Sequence, residues 1–455
     1  MKFKTVLLST LLLSSLQAAD DFKSWFSDGV ASGNVKYYYI ETDKDNGAGT
    51  TTSAHANSVG GQLSYKTANL YGLELGATAM STNPFALPNS VDTSIIGRDN
   101  GVRSGQGPSG QIAQQGFTVL GEAYIKYSRD FFNIWYGRQV LRTPLIDAKE
   151  VRMLPSAVQG TMAKAAFENG ITIEAGYLDR FKQRTSNEFV NIIKHALGAN
   201  TQAVTGSNAG YVAPISVSYD ANGVTAHLYD YYAADFMNSV FGDVVFKNKL
   251  DENMEYSVGA QIIKQDSIGT ADTNLAQAGS LTGGQKIDVT SFGLKGSFNY
   301  NESGLYAAYT NVSRNNNAHD SMVLPWDGTP LYTNMITSND LFQSNYGKAL
   351  NADSAYIGGT QGLKLAYSQG FDFSGVEGFM TTLAWAQYSN SRTGFDKNQQ
   401  DINAVIQYKY DKELTVQLKG IWVDNNTGVN ELGVVTQLDS LTQYRVIANY
   451  KFKTN

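Results

Sequence analysis

The chain has 455 residues, 42% of them hydrophobic and 17% charged, with a formal net charge of -6. Zero cysteines exclude disulfides, zinc-thiolate centres, thiol nucleophiles and thioether-linked haem together, and the acidic balance lacks the basic footprint that nucleic-acid binding needs. Glycine at 44 and tyrosine at 27, with only 8 prolines, suit a chain that alternates polar and apolar residues rather than one built round an apolar core.

The first residues carry Lys2 and Lys4, then an apolar run from Val6 to Leu16, then Ala18-Ala19 before Asp20-Asp21. This is the pattern of a secretory signal peptide cut after Ala18 or Ala19, so residues 1–19 are read as signal and 20–455 as the mature domain. The run is too short for a bilayer span, which takes roughly 20 residues of helix. Past Leu16 no stretch approaches roughly 18 consecutive apolar residues, which excludes helical spans and leaves two ends for export: solution, or a barrel.

From Val30 onward, segments with apolar residues on one parity and polar residues on the other lie near 30–42, 58–68, 71–81, 117–128, 131–140, 159–169, 170–182, 213–221 and 223–234. They continue near 238–248, 253–265, 287–300, 304–315, 354–368, 378–392, 398–411, 413–425 and 440–453. In the last of these Tyr444, Val446, Ala448, Tyr450 and Phe452 share one parity, and Gln443, Arg445, Asn449 and Lys451 share the other. Side chains alternate across a strand, so each segment has a greasy and a wet face, as a wall between lipid and water requires. The expected fold is all-β, a transmembrane antiparallel β-barrel of about eighteen strands.

The connections alternate in length. Tight links fall at Ala68-Asn69-Leu70, Arg129-Asp130, Asn169-Gly170, Asn222-Gly223, Asp251-Glu252, Asn301-Glu302-Ser303 and Asp411-Lys412. Asn-Gly is the strongest two-residue hairpin signal, because both central positions need positive φ. Between them lie long polar connections at 43–57, 82–116, 141–158, 183–212, 266–286 and 316–353, which a soluble domain rarely carries in such number. Outer-membrane barrels have short periplasmic turns and long external loops, which would place both termini in the periplasm. Two places break the rhythm: the brief link from Ala234 to Asn238 and the long turn from Gln369 to Glu377. Aromatic residues such as Tyr65, Tyr127, Phe298, Tyr300, Tyr408, Tyr410, Tyr450 and Phe452 stand at strand ends on the apolar parity, as interfacial girdles do.

The opposite parity lists the expected lumen lining: Lys36, Lys66, Lys126, Lys164, Arg180, Lys247, Lys295, Arg314, Lys364, Lys409, Lys419, Arg445 and Lys451, against Glu74, Glu122, Glu174, Asp243, Glu255 and Asp401. A net cationic wall in a low-dielectric tube concentrates anions, which makes small carboxylates the leading solute class. The bland alternative is that these charges keep the interior wet and pair with each other. Parity also turns Arg138 outward at the external rim, toward lipopolysaccharide phosphate.

Residues Tyr136 to Gly160 contain Gly137 and Gln139, then Thr143-Pro144, then Arg152-Met153-Leu154-Pro155 before Gly160. This segment resembles the third-loop region of the OprD-type outer-membrane porin family, and Pro325 to Thr333, with Trp326-Asp327-Gly328-Thr329-Pro330, is similar to that family's seventh loop. The resemblance implies a monomeric eighteen-stranded barrel, a trimer being left open, whose third and seventh loops fold inward while a ladder of basic residues guides carboxylates. It offers Arg142, Asp147, Lys149, Glu150 and Arg152 from the third loop, and Trp326, Asp327 and Tyr332 from the seventh, as the constriction. Pro144 and Pro155 stiffen the third loop, and Leu145, Ile146, Met153 and Leu154 can pin it to an inner wall. One departure from barrel habit is Lys453-Thr454-Asn455 beyond Phe452. Expected partners are outer-membrane lipid, lipopolysaccharide, the barrel-assembly machinery and small solutes.

No enzyme reading survives. His55, His195, His227 and His319 are scattered without ligand or triad spacing, and His227 falls at lumen parity beside Tyr229 and Tyr231. Asp43-Lys44-Asp45-Asn46-Gly47 opens like a calcium loop, but Ala54 stands where the closing Glu is needed, and no phosphate loop occurs. No cofactor is implied. The rival class is a barrel whose long external loops serve adhesion or surface display.

Overall fold

The alternating segments are strands. The computed structural model describes residues 19–45, 51–85, 116–148, 151–277, 285–336, 354–392, 395–425, 428–429, 435–436 and 440–454; residues 1–18 of the expected signal segment lie outside them. In chain order the strands are β1 (Val30–Asp45), β2 (Thr51–Lys66), β3 (Leu73–Pro84), β4 (Phe117–Arg129), β5 (Phe132–Gln139) and β6 (Ala157–Ala166). There follow β7 (Ile171–Lys182), β8 (Val212–Ala221), β9 (Val224–Ala233), β10 (Met237–Lys249), β11 (Met254–Ser267) and β12 (Asp288–Tyr300). The last six are β13 (Ser303–Val312), β14 (Gln361–Gly370), β15 (Phe379–Arg392), β16 (Phe395–Lys409), β17 (Leu414–Asn425) and β18 (Ser440–Lys453).

Each strand runs antiparallel to its neighbour in sequence, and β1 pairs with β18 from Ser32↔Lys453 to Asp45↔Ser440. That last pairing closes an eighteen-stranded barrel, leaving no open edge whose N–H and C=O groups would need water. A two-residue strand, Val190–Asn191, adds to the rim of β7. No helix among the described residues is long and apolar enough to cross a membrane.

The tight turns follow their residues. Asn222 (φ 54°) and Gly223 (φ 75°) both take the left-handed region, and Asp130 (φ 50°) and Asn301 (φ 49°) do so in two other hairpins. The brief link at 234–236 is real: Asp235 turns the chain at φ 53°, so the strand count holds. Several boundaries differ from expectation. The connection expected over 43–57 is mostly strand, because β1 and β2 keep pairing out to Asp45↔Thr51. The strand expected from 354 starts at Gln361, after a single 3-10 turn at Ser354–Tyr356. The strand expected to reach 315 stops at Val312, where its backbone N–H bonds Thr360 O and the chain turns into the long connection.

The outer face is apolar. Leu63, Ile125, Leu228, Val258, Ile262, Leu294, Leu305 and Leu383 all stand exposed on it, a belt that water would penalise and lipid accepts. Tyr65, Phe298, Tyr300, Tyr408, Tyr450 and Phe452 edge the belt toward the short turns; Tyr136, Tyr177, Trp422 and Tyr444 edge it toward the long connections. The buried apolar residues lie on the other face of the wall. In one cluster Val158, Met162, Leu178, Tyr231, Ile263 and Tyr388 of the strands meet Leu145, Ile146, Ile192, Leu197 and Trp326 of the connections. In another, Tyr38, Ile40, Met80 and Val119 meet Met153 and Leu154.

Candidate functional site

The connection from β5 to β6 is therefore anchored at two walls. Its first half is a tight turn, with Thr143 N–H bonded to Ile146 O at 3.0 Å and an isolated bridge between Arg142 and Asp147. Its second half is gripped by inward-facing side chains: Lys36 Nζ donates to Met153 O at 3.1 Å, and Tyr38 Oη to Val151 O at 2.9 Å. Arg445, almost fully buried, donates to Gln443 Oε1 at 2.6 Å, to Tyr38 Oη at 3.2 Å and to Val151 O at 3.4 Å.

The connection from β13 to β14 is held along the opposite wall by inward side chains that act as extra strand partners. Gln265 donates to Val323 O at 2.9 Å and accepts from Val323 N–H at 2.8 Å; Gln261 does the same for Pro330 O at 3.0 Å and Tyr332 N–H at 2.8 Å. Tyr306 Oη bonds Tyr332 O at 2.8 Å, Tyr388 Oη bonds Thr333 O at 2.6 Å, and Lys364 Nζ bonds Asn334 O at 2.6 Å.

The two connections meet at Asp327. Asp147 N–H bonds Trp326 O at 3.1 Å, and Ile146 forms a bridge with Asp327. The Asp327 carboxylate, wholly buried, accepts from the Ser156 hydroxyl on one oxygen and from the Arg184 guanidinium on the other. Trp326, 1% exposed, donates its indole N–H to Ile192 O at 3.1 Å. Asp327 sits at φ 63°, a conformation few residues other than Gly, Asn and Asp adopt cheaply. Gly328 passes so close that an added Cβ would lie 2.5 Å from Leu145 Cα.

Of the residues expected at the constriction, Arg142 is exposed, Arg152 is buried with Nη1 on Val151 O at 3.1 Å, and Lys149 and Glu150 lie outside the described residues. Tyr332 joins a polar group instead: its hydroxyl bonds Asp243 Oδ2 at 3.2 Å, His227 Nδ1 lies 2.7 Å from Asp243 Oδ1, and Lys295 Nζ sits 4.2 Å from the Tyr332 ring centroid. Burial, reinforced by Asp243, raises the Tyr332 phenol above its ordinary pKa, so it stays a neutral donor.

Of the expected lining, Lys164 pairs with Glu174 at 3.2 Å, Lys409 is exposed near the short-turn end, and Lys126 stands half-buried on the inner parity. Lys419 lies opposite Arg445 in the β17–β18 register and has no hydrogen-bond acceptor among the described residues. Two residues leave the lining. Arg314 falls past the end of β13 and bonds Asn316 Oδ1 at 2.7 Å. Arg180 is turned outward by a bulge: Gly160 pairs with Leu178 while Gln159 pairs with Arg180, so Asp179 is an extra residue and Arg180 and Phe181 exchange faces. Phe181 then joins the inner cluster and Arg180 is 51% exposed. The sequence reading missed Arg184, Ser156, Gln261 and Gln265, whose partners lie far away along the chain.

The model of the OprD family of outer membrane porins matches residues 23–454. The chain belongs to that family. Solved structures of the same fold include OccK8 (OprE) of Pseudomonas aeruginosa, 15% identical with a TM-score of 0.72, covering 95% of this chain and 100% of that one. OccAB3 of Acinetobacter baumannii is 14% identical with a TM-score of 0.72, over 94% and 100% of the two chains. A structure of Pseudomonas aeruginosa OpdK with vanillate is 13% identical with a TM-score of 0.70, over 94% and 100%. No curated protein sequence matches the chain. This OprD-family barrel is an outer-membrane porin for small solutes.

Proposed function

We propose that this porin passes small carboxylate-bearing solutes by diffusion through an eyelet made by residues 141–148 and 151–156 of one connection and 322–336 of another. The observation that carries the reading is that both connections hydrogen-bond to inward-facing strand residues and meet each other at Asp327. Neither would narrow a channel if it stood out in solvent. Lys36, Lys419 and Arg445 lie on the inner parity of β1, β17 and β18, adjacent strands on one side of the barrel. Arg445 and Lys36 direct their donors at the loop, and Lys419 and Lys126 are among the inner cations of the described residues that do not bond to it. Vanillate, bound in the OpdK structure, is an aromatic carboxylate and fits the same class. In this reading the short turns and both chain ends face the periplasm, the long connections face outside, and residues 1–19 direct export.

The test is uptake into liposomes carrying the purified protein, comparing benzoate with benzamide, its neutral isostere. Faster benzoate entry supports carboxylate passage. Equal entry reduces the chain to a general pore.

A further inference from the structure

The bulge at Asp179 places a second guanidinium on the outside of the barrel. Arg138 lies opposite Gln159 in the β5–β6 ladder, and Gln159 lies opposite Arg180 in the β6–β7 ladder, so the three stand in a row across adjacent strands. They share the face of Tyr136 and Tyr177, whose exposed rings belong to the apolar side. Phe189 ties the row together: the Arg138 guanidinium lies 4.5 Å from its ring centroid, and Arg180 Nη1 donates to its carbonyl at 3.2 Å. Arg138 also donates to Leu120 O at 3.1 Å and Gln159 Oε1 at 3.4 Å, which fixes its plane.

The charge on this row is largely uncompensated. Among the described residues, the one carboxylate paired with either arginine is that of Asp179, 3.9 Å from Arg180 Nε, with both side chains substantially exposed. Such a pair contributes little. The contrast is Lys264, also outward and near the same rim, whose ammonium is already held between Asp266 and Asp288. The remaining N–H groups of Arg138 and Arg180 have no protein acceptor among the described residues.

A guanidinium presents a planar fork of donors that fits phosphate oxygens in pairs. Outward tyrosines mark the level of lipid headgroups, so a cation just above them meets a headgroup rather than a solute in the pore. We infer that Arg138 and Arg180 clamp the phosphate of a phosphorylated glycolipid of the outer leaflet, with Phe189 holding both arginines in place. This rests on the assignment of the long-connection end to the cell exterior made under the proposed function.

Detergent-purified protein is titrated with bisphosphorylated lipid A, with the same lipid after phosphatase treatment, and with phosphatidylglycerol, and retained lipid is read by native mass spectrometry. The wild type retains the bisphosphorylated lipid by about tenfold or more over the dephosphorylated one, and the double variant Arg138→Gln/Arg180→Gln loses that preference while Lys264→Gln keeps it. Equal retention by wild type and double variant overturns the clamp, as does retention indifferent to phosphate. Arginine-dependent retention of phosphatidylglycerol in preference to lipid A overturns the glycolipid assignment and the end assignment with it. Because the row lies outside the lumen, channel conductance stays at the wild-type level in the double variant, so lipid binding and transport fail independently.

Discussion

Replacing Asp327 with alanine removes the carboxylate that joins the β5–β6, β7–β8 and β13–β14 connections. Asp327 is 0% exposed and its partner Arg184 is 8% exposed, so the variant takes a carboxylate away from a guanidinium held in a site with little water. Removing one partner of a buried pair costs roughly 3–5 kcal/mol. The Ser156 hydroxyl loses its acceptor as well, for about 1 kcal/mol more, and alanine tolerates the left-handed backbone at φ 63° less well than aspartate does. A combined loss of about 4–6 kcal/mol shifts the population of undocked loops by roughly 10³ to 10⁴, at 1.4 kcal/mol per tenfold. The assay is amide exchange, with single-channel current alongside. Residues 141–148, 151–156 and 322–336 should exchange faster, strand amides should hold their protection, and current should become larger and noisier. Asp327→Asn keeps an acceptor for Ser156 and tolerates positive φ, so its effect should be smaller. Unchanged protection of both connections in Asp327→Ala would refute the claim that this carboxylate holds them together.

Gly328→Ala should separate the two connections by sterics alone, since its Cβ would meet the Leu145 backbone at 2.5 Å; altered conductance with normal barrel heat-modifiability is the expected readout. His195, partly buried against Phe181, has its pKa pushed down to about 4 from 6.5 by desolvation, so the docked form stays neutral where the undocked form takes a proton. Docking of the Ile192–Leu197 helix is therefore strongest above pH 6.5 and weakens as pH falls toward 4, by up to about 3 kcal/mol, which exchange rates across that window should show and His195→Leu should abolish. Lys419→Glu should move ion selectivity toward cations without loosening the β5–β6 connection, because Lys36 and Arg445, not Lys419, bond to it.

The barrel was legible because a period of two is a local property. In β12 the faces can be read within five residues, Phe292 and Leu294 outside and Ser291 and Lys295 inside, and Asn222-Gly223 announces its own hairpin. Arg180 failed for an equally local reason. Leu178 and Phe181, three apart and both buried, break the alternation, and the extra residue between them is the bulge that parity counting passed over. The loop anchors were half legible. Leu145, Ile146, Met153 and Leu154 stood out as apolar residues in a polar connection, and each is buried. Their fixings were not: Arg184 meets Asp327 across 143 residues of chain, and Arg445 reaches Val151 across 294, separations on which no local pattern bears. The resemblance pointed to two segments that lie against inward-facing strand residues, and within them Arg152 and Trp326 are buried.

The most direct test is the reversal potential of the purified wild-type channel in a planar bilayer under a salt gradient. Steady conductance is expected, with a reversal potential displaced toward anion permeation by the inner cations that do not bond to the loops. A displacement toward cation permeation would contradict the carboxylate assignment, leaving the porin fold without the selectivity argued from its lining.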